Sequence, residues 1–248
     1  MPIESEYYFD KVLMEDLITG LTKRYDRRRA GVHVSTLSMC PRQDVFKERD
    51  HPPLTSRELN FFTSGAASGA AIQSLADDEN NGYYNRYNKN NNTEKKYFAE
   101  YLTNIGGFIQ GHIDLWHKPT NTPIEIKTSR VTKEEKLPKS FHVDQLKSYM
   151  VGMSADHGIL LYQLINKFEG DPFIKFVIKM TKKERDEMAL MKIEDGIALI
   201  KAKAYKRPEL ARHVRYDSNF NDWLCKDCPW RQECDDINSK EIALRLKK

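Results

Sequence analysis

The order of periodic segments in this sequence predicts an α/β fold, a mixed central sheet flanked by helices. Three observations carry that expectation. Strand-like runs fall into two groups, KKYFAEYL, GGFIQGHIDLW and IEIKT, then GILLYQLI and FIKFVIKM, with one helix-like run, SFHVDQLKSYMVGM, between them. The last strand alternates cleanly, with Ile174, Phe176, Ile178 and Met180 on one face. A length of 248 residues with 40% hydrophobic content suits one main core with a small accessory part.

Taken in order, the first ~30 residues read as helical. HVSTLSMCPRQDVFKER follows, with Pro41 just after Cys40, so a helix begins on Ser38 or Cys40. Thr55-x-x-Glu58 fits a capping box. The small-residue run SGAASGAAIQSLADD, residues 64 to 78, suits a helix lying close to a neighbour, although Gly65 and Gly69 weaken its first turn. Residues 77–93, rich in Asn, have the composition of a surface loop or insertion. Two strands follow, then the turn KPTNTP leading into IEIKT. After the second strand pair, Thr181-x-x-Glu184 opens a long helix whose apolar line runs Ala189, Ile193, Ile197, Ile200, Ala204, and Pro208 closes it. The expected organisation is an N-terminal helical segment over 1–34, a core over 35–215 and a cysteine-bearing tail over 216–248, the tail too short and irregular for a core of its own.

No apolar run approaches the ~20 residues a membrane helix needs, and MPIESEYYFD is too acidic and polar for a signal peptide, so the expected location is cytoplasmic with no membrane partner. The net charge of +4 does not by itself announce a nucleic-acid binder. Local clusters say more: KRYDRRR interleaves Lys23, Arg24, Arg27 and Arg28 with an aromatic ring, and KLPKS and KAKAYKR add further positive charge. Each of these also fits a solvated helix face.

Chemistry concentrates at PIEIKTSR. On a strand, residues i and i+2 share a face, so Glu125 and Lys127 point together while Ile124 and Ile126 point the other way. Asp114 can reach that face from the preceding strand. Two converging carboxylates make a hard oxygen site suited to Mg²⁺ or Mn²⁺, and a nearby ammonium orients a water or stabilises charge on a phosphate. Taken alone, E-x-K is equally the pattern of a cross-strand ion pair.

Cys225, Cys228 and Cys234 form a C-x2-C-x5-C cluster, and Cys40 lies far upstream. Four thiolates suit Zn²⁺ or a [4Fe-4S] cluster, and spacing does not decide between them. Either centre would tie the N-terminal helix to the tail across a very long loop, a structural role.

The run G-x-x-D at Gly111 to Asp114, E-x-K at Glu125 to Lys127 and Q-x-x-x-Y at Gln145 and Tyr149 resembles the PD-(D/E)xK nuclease superfamily. Within it, the chain resembles the RecB-like branch that includes CRISPR-associated RecB-like iron-sulfur exonucleases. The resemblance covers roughly residues 35 to 235. It implies a restriction-endonuclease-like fold with a four-cysteine iron-sulfur staple on Cys40, Cys225, Cys228 and Cys234. Asp114 and Glu125 would hold the metal with the carbonyl of Ile126, Lys127 would serve the attacking water or scissile phosphate, and Gln145 and Tyr149 would contact substrate or position the lysine. Where the family tends to carry a helical histidine, this sequence has Gln73, a weaker ligand for Mn²⁺ through its amide oxygen. Glu94 and Glu100 are alternative donors. His112 alternates with Asp114 on one face as a DNA contact or ligand, and His142 is the other histidine close to the motifs.

The implied activity is Mg²⁺- or Mn²⁺-dependent hydrolysis of DNA, by an exonuclease on single strands or single-stranded ends. Its setting would be CRISPR adaptation, or viral or cellular recombination, repair or replication, with the proteins of those processes as partners. Two rival classes are a catalytically degenerate DNA-binding iron-sulfur module and a zinc-stapled interaction domain with an incidental E-x-K.

Overall fold

A computed structural model describes residues 31–50, 97–130, 137–166, 170–212, 223–226 and 228–245, with single helical positions at Thr63, Ala67 and Ala70. The expectations for residues 1–30, with Lys23, Arg24, Arg27 and Arg28, for Thr55 and Glu58, for Gln73, for Glu94 and for the 77–93 segment lie outside the described residues.

The described strands are β1 (Val32–His33), β2 (Tyr97–Ile105), β3 (Ile109–His117), β4 (Thr122–Ser129), β5 (His157–Leu164) and β6 (Phe173–Lys179). The helices are α1 (Val34–Ser38), α2 (Pro41–Arg49), α3 (Ser140–Met153), α4 (Lys182–Tyr205), α5 (Trp223–Lys226) and α6 (Arg231–Arg245). Together they make a mixed α/β structure, a central mixed sheet flanked by helices.

Strand β3 is the hub. Along one edge it pairs antiparallel with β2, from Tyr97 opposite His117 to Ile105 opposite Ile109. Gly106 and Gly107 close that hairpin with φ of 61° and 83°, a backbone conformation that favours glycine. The other edge of β3 is shared. β1 runs parallel to its start, at Ile109 and Gln110, and β4 runs antiparallel to its end, at Leu115, Trp116 and His117. β4 then leaves β3 to pair in parallel with β5 from Ile124 to Ser129, and β6 completes the row antiparallel to β5.

The core lies beneath α3, which packs across β2, β4 and β5. Leu146 and Met150 of α3 meet Leu160, Tyr162 and Leu164 of β5, with Ile174, Phe176 and Ile178 of β6 closing the side, as their alternation predicts. A second cluster joins Ile105, Ile109 and Ile113 to Val34, Leu37, Tyr149 and Leu199. Burying one such aliphatic side chain contributes roughly 1.5–3 kcal/mol, so the two clusters outweigh any single polar contact here.

Helix α4 opens with both halves of a capping box. The Thr181 hydroxyl accepts from the Glu184 backbone N–H at 3.2 Å, and the Glu184 carboxylate accepts from the Thr181 N–H at 2.7 Å. It ends on Lys206 in the left-handed region, and Pro208 then opens a short 3₁₀ turn. Its apolar line, however, is not its buried face. Met188, Lys192, Gly196, Leu199 and Ala202 face the core, while Ile197 and Ile200 are 42% and 47% exposed. Lys192 is buried on the inner face because it donates to Asp144 Oδ2 of α3 at 2.5 Å.

Cys40 caps α2, with Pro41 at its first position. The tail is less irregular than the sequence implied, since Arg231–Arg245 is a 15-residue helix. Polar pairs one turn apart, Gln232 with Asp236 and Arg231 with Asp235, support it. Phe46 stacks on Trp230 at 5.8 Å between ring centroids, and Arg49 grips Glu233 with two bonds of 2.6 Å, fixing the tail to α2.

Candidate active site

The site forms where β3 and β4 part. Extending their register beyond Leu115 opposite Ile124 would set Asp114 opposite Glu125, but the ladder stops there and β4 turns to β5. The backbone N–H of Ile126 is thereby released from β3. It donates instead to the Asp114 carboxylate, Oδ2, at 2.7 Å. Asp114 thus bridges the gap between the strands and draws its carboxyl beside that of Glu125.

Glu125 is 2% exposed, and its Oε1 accepts from Lys127 Nζ at 2.5 Å. Burial, and next the Asp114 charge, push the Glu125 carboxyl up to about 8, despite the pull of Lys127. Burial also raises Asp114, against the opposing charge of Lys127 and the Ile126 hydrogen bond. Burial alone would lower Lys127, but the charges of Glu125 and Asp114 hold its ammonium above the usual value. Two facing carboxyls with one resident ammonium carry a net negative bias once both ionise. The remaining oxygen of Glu125, Oε2, is buried and has no hydrogen-bond partner among the described residues. Two carboxyls close enough to share a hydrogen bond make, once both ionise, a site that fits a small, hard cation. Among the described residues, no three His, Cys, Asp or Glu side chains are arranged to hold a metal ion as they stand, so further donors would have to be a carbonyl, water, substrate or another residue.

Gln145 and Tyr149, one turn apart on α3, are joined by a hydrogen bond from Gln145 Nε2 to the Tyr149 hydroxyl at 2.9 Å. Tyr149 is buried against Gly111: a Cβ there would lie 2.6 Å from Tyr149 Cε1. The glycine three residues before Asp114 therefore makes room for the tyrosine. That contact couples the first motif to the third.

His112 is about half exposed, with Nδ1 3.7 Å from the Glu100 carboxylate. Glu100 adopts φ 48°, uncommon for a non-glycine residue, and its charge also raises Asp114. It thus supplies a third acidic group on the Asp114 side. His142 is held by its Nδ1, which is engaged with the Tyr162 hydroxyl at 2.7 Å. Burial, and then the charges of Lys127 and Lys139, push its imidazole down to about 2, so it stays neutral. Tyr162, paired with Lys127 across β4 and β5, escaped the sequence reading: a tyrosine in an apolar strand carries no motif. Its signal was the parallel register, which emerges only with the fold.

The four cysteines are free thiols. They nevertheless converge: burial pushes Cys40 up to about 11, with smaller contributions from Cys234, Cys225 and Cys228. Cys234 is raised by burial and by Cys225 and Cys228, while Arg42, Nη1 3.9 Å from its sulfur, opposes the shift. Arg42 also donates to Asn238 at 2.8 Å and to the Ala211 carbonyl, joining α2 to two later segments. The four thiols are within electrostatic reach of one another, but among the described residues no three of them stand as a group that holds a metal ion.

No family model matches the chain, and no curated protein matches it. Among solved structures, it is similar to SSO0001, with 20% identity and a TM-score of 0.52 over 88% of this chain and 94% of that one. Looser likenesses are to an alkaline exonuclease, LHK-Exo, from Laribacter hongkongensis (13% identity, TM-score 0.43, 79% of this chain and 100% of that one) and to a phage related exonuclease from Haemophilus somnus 129PT (12%, 0.36, 74% and 96%). The last two overlaps are too loose to carry an argument. The likeness to SSO0001 is one of fold: this chain shares its overall α/β architecture.

Proposed function

We propose that the chain is a divalent-metal-dependent DNA nuclease of the PD-(D/E)xK type, acting as an exonuclease on single-stranded DNA or single-stranded ends. The observation that carries this reading is the parting of β3 and β4, where Asp114 holds the Ile126 N–H and stands beside a buried Glu125 paired to Lys127. A purely structural ion pair has no need of a second carboxyl or of a buried, unpartnered oxygen. Asp114, Glu125 and the carbonyl of Ile126 would hold Mg²⁺ or Mn²⁺, with Glu100 or Gln73 as a further donor. A metal bound there would polarise the scissile phosphate and favour hydroxide over water.

The chain's own residues supply the rest. Lys127, charged and partly buried, would steady the attacking water or the developing phosphate charge. The Gln145–Tyr149 pair would fix the α3 face over the site, and half-exposed His112 would meet the DNA backbone together with the basic groups Lys23, Arg24, Arg27 and Arg28. Cys40, Cys225, Cys228 and Cys234 would carry a [4Fe-4S] cluster, zinc being the alternative, as a staple rather than a reaction centre. CRISPR adaptation, or recombination and repair, is the setting this reading implies.

The test is cleavage of end-labelled linear and of closed circular single-stranded DNA with Mn²⁺ or Mg²⁺. Wild-type protein is expected to degrade the linear strand and spare the circle, and both Glu125→Ala and Lys127→Ala to lose cutting. Metal-independent, salt-sensitive DNA binding with no cleavage by fully metallated protein would support the degenerate DNA-binding module instead, and would direct attention to Gln73.

A further inference from the structure

One line along α4 carries Leu190, Ile193, Ile197, Ile200 and Ala204, at successive spacings of three, four, three and four; Ile193 packs in part against the core beside Gly106, and the other four are exposed. Leu190 is 64% exposed, Ile197 42% and Ile200 47%; Ile193 is half-buried and Ala204 exposed. Single exposed apolar side chains are ordinary, but four of them along one side of a helix make a contact surface. Spacing of this kind keeps the line straight for a partner helix that supercoils around it. From Leu190 to Ala204 it runs about 21 Å along the helix.

Charge specifies the occupant. Glu194 and Lys201 lie seven residues apart on one flank of the line, both exposed, and neither has an ion-pair partner among the described residues. Two copies of α4 laid antiparallel about a two-fold axis at Ile197 bring Ile197 against Ile197, Ile193 against Ile200 and Leu190 against Ala204. That arrangement also sets Glu194 of each copy beside Lys201 of the other, twice by symmetry. A parallel pairing would put the same two charges beside Ala189 and Gly196, leaving both unmatched.

We propose that this chain forms a two-fold dimer through α4, the two helices antiparallel and centred on Ile197. A seam of five residues per copy is well short of the roughly 20–30 residues a side of a standard interface, so the dimer is a weak one, with association expected at tens of micromolar. The proposal does not depend on the nuclease reading.

Sedimentation equilibrium of the full chain, from about 1 to 100 μM, tests it. Wild type is expected to pass from monomer to dimer over that range, and Ile197→Glu to stay monomeric with unchanged circular dichroism, because Ile197 points away from the core. Glu194→Lys and Lys201→Glu should each weaken the dimer about tenfold, and the double exchange should restore it. A wild-type monomer throughout, as expected if another segment or a foreign helix covers this face, overturns the proposal. So does a dimer indifferent to Ile197→Glu, or one that the double exchange fails to rescue.

Discussion

Where β3 and β4 part, Asp114 and Glu125 come with a counter-charge, Lys127, and with a backbone N–H that holds Asp114 in place. At the foot of α2, by contrast, four thiols lie within electrostatic reach of one another without forming a ready metal-binding group, and Arg42 stands against one of them. The first group sits within the sheet, Glu125 and Lys127 on the β4–β5 ladder and Asp114 at a gap flanked by paired residues of β3. The second joins residues 40 and 225, from opposite ends of the described chain. The difference teaches which loss should matter where: disabling the carboxylate site removes chemistry and leaves the fold, whereas disabling the thiol cluster loosens the fold.

The largest expected effect is on catalysis. Lys127→Ala should reduce Mn²⁺-dependent DNA cleavage by about a thousandfold or more, from the lost transition-state charge stabilisation, with a thermal midpoint near that of wild type. If its midpoint collapses in step with activity, the contrast between the regions fails. Next comes Cys228→Ser. If the four cysteines hold the metal centre proposed above, it should destabilise the metal-loaded protein by about 5 kcal/mol and free the tail from α2, read as early protease cleavage near α6 while the sheet stays protected.

A smaller effect sharpens the contrast from a third place. Asp144→Ala leaves Lys192 buried and unpaired, and should destabilise by about 3 kcal/mol in chemical denaturation with cleavage per folded molecule unchanged. An effect of comparable size is a change of slope with pH. Glu125 keeps its proton up to about 8 when folded and to about 4.5 when unfolded. The unfolded chain therefore releases that proton first, and metal-free stability falls as pH rises from about 4.5 to about 8. Glu125→Gln removes this dependence, so its stability should exceed that of wild type increasingly toward pH 8, measured by urea melts across that range.

Much of the architecture was legible because it rests on local pattern. The alternation of β6 named the partly buried face it turns to the core, the boundaries of α3 followed its apolar period, and the Thr181–Glu184 box marked the start of α4. What escaped depends on contacts distant in sequence. β1, two residues long, has too few side chains for any period, and exists because β3 offers it a free edge. The apolar line of α4 was visible, but its direction was not. The inner face sets Met188 and Leu199 among the small Gly196 and Ala202 and the charged Lys192, which is tolerable there only because Asp144, 48 positions earlier, meets it. In the site, Asp114, Glu125 and Lys127 were nameable from spacing. The Ile126 bond to Asp114, the room Gly111 makes for Tyr149, and the Tyr162–His142 contact needed the strands to be placed.

The central claim is that Asp114 and Glu125 form a cation site, and calorimetric titration of the protein with Mn²⁺ at pH 7, in two buffers of different ionisation enthalpy, tests it most directly. A metal that binds there must displace the proton held on Glu125. The account predicts Mn²⁺ binding accompanied by net proton release, with both lost in Glu125→Gln. Absence of binding, or binding that releases no proton and survives Glu125→Gln, would contradict it.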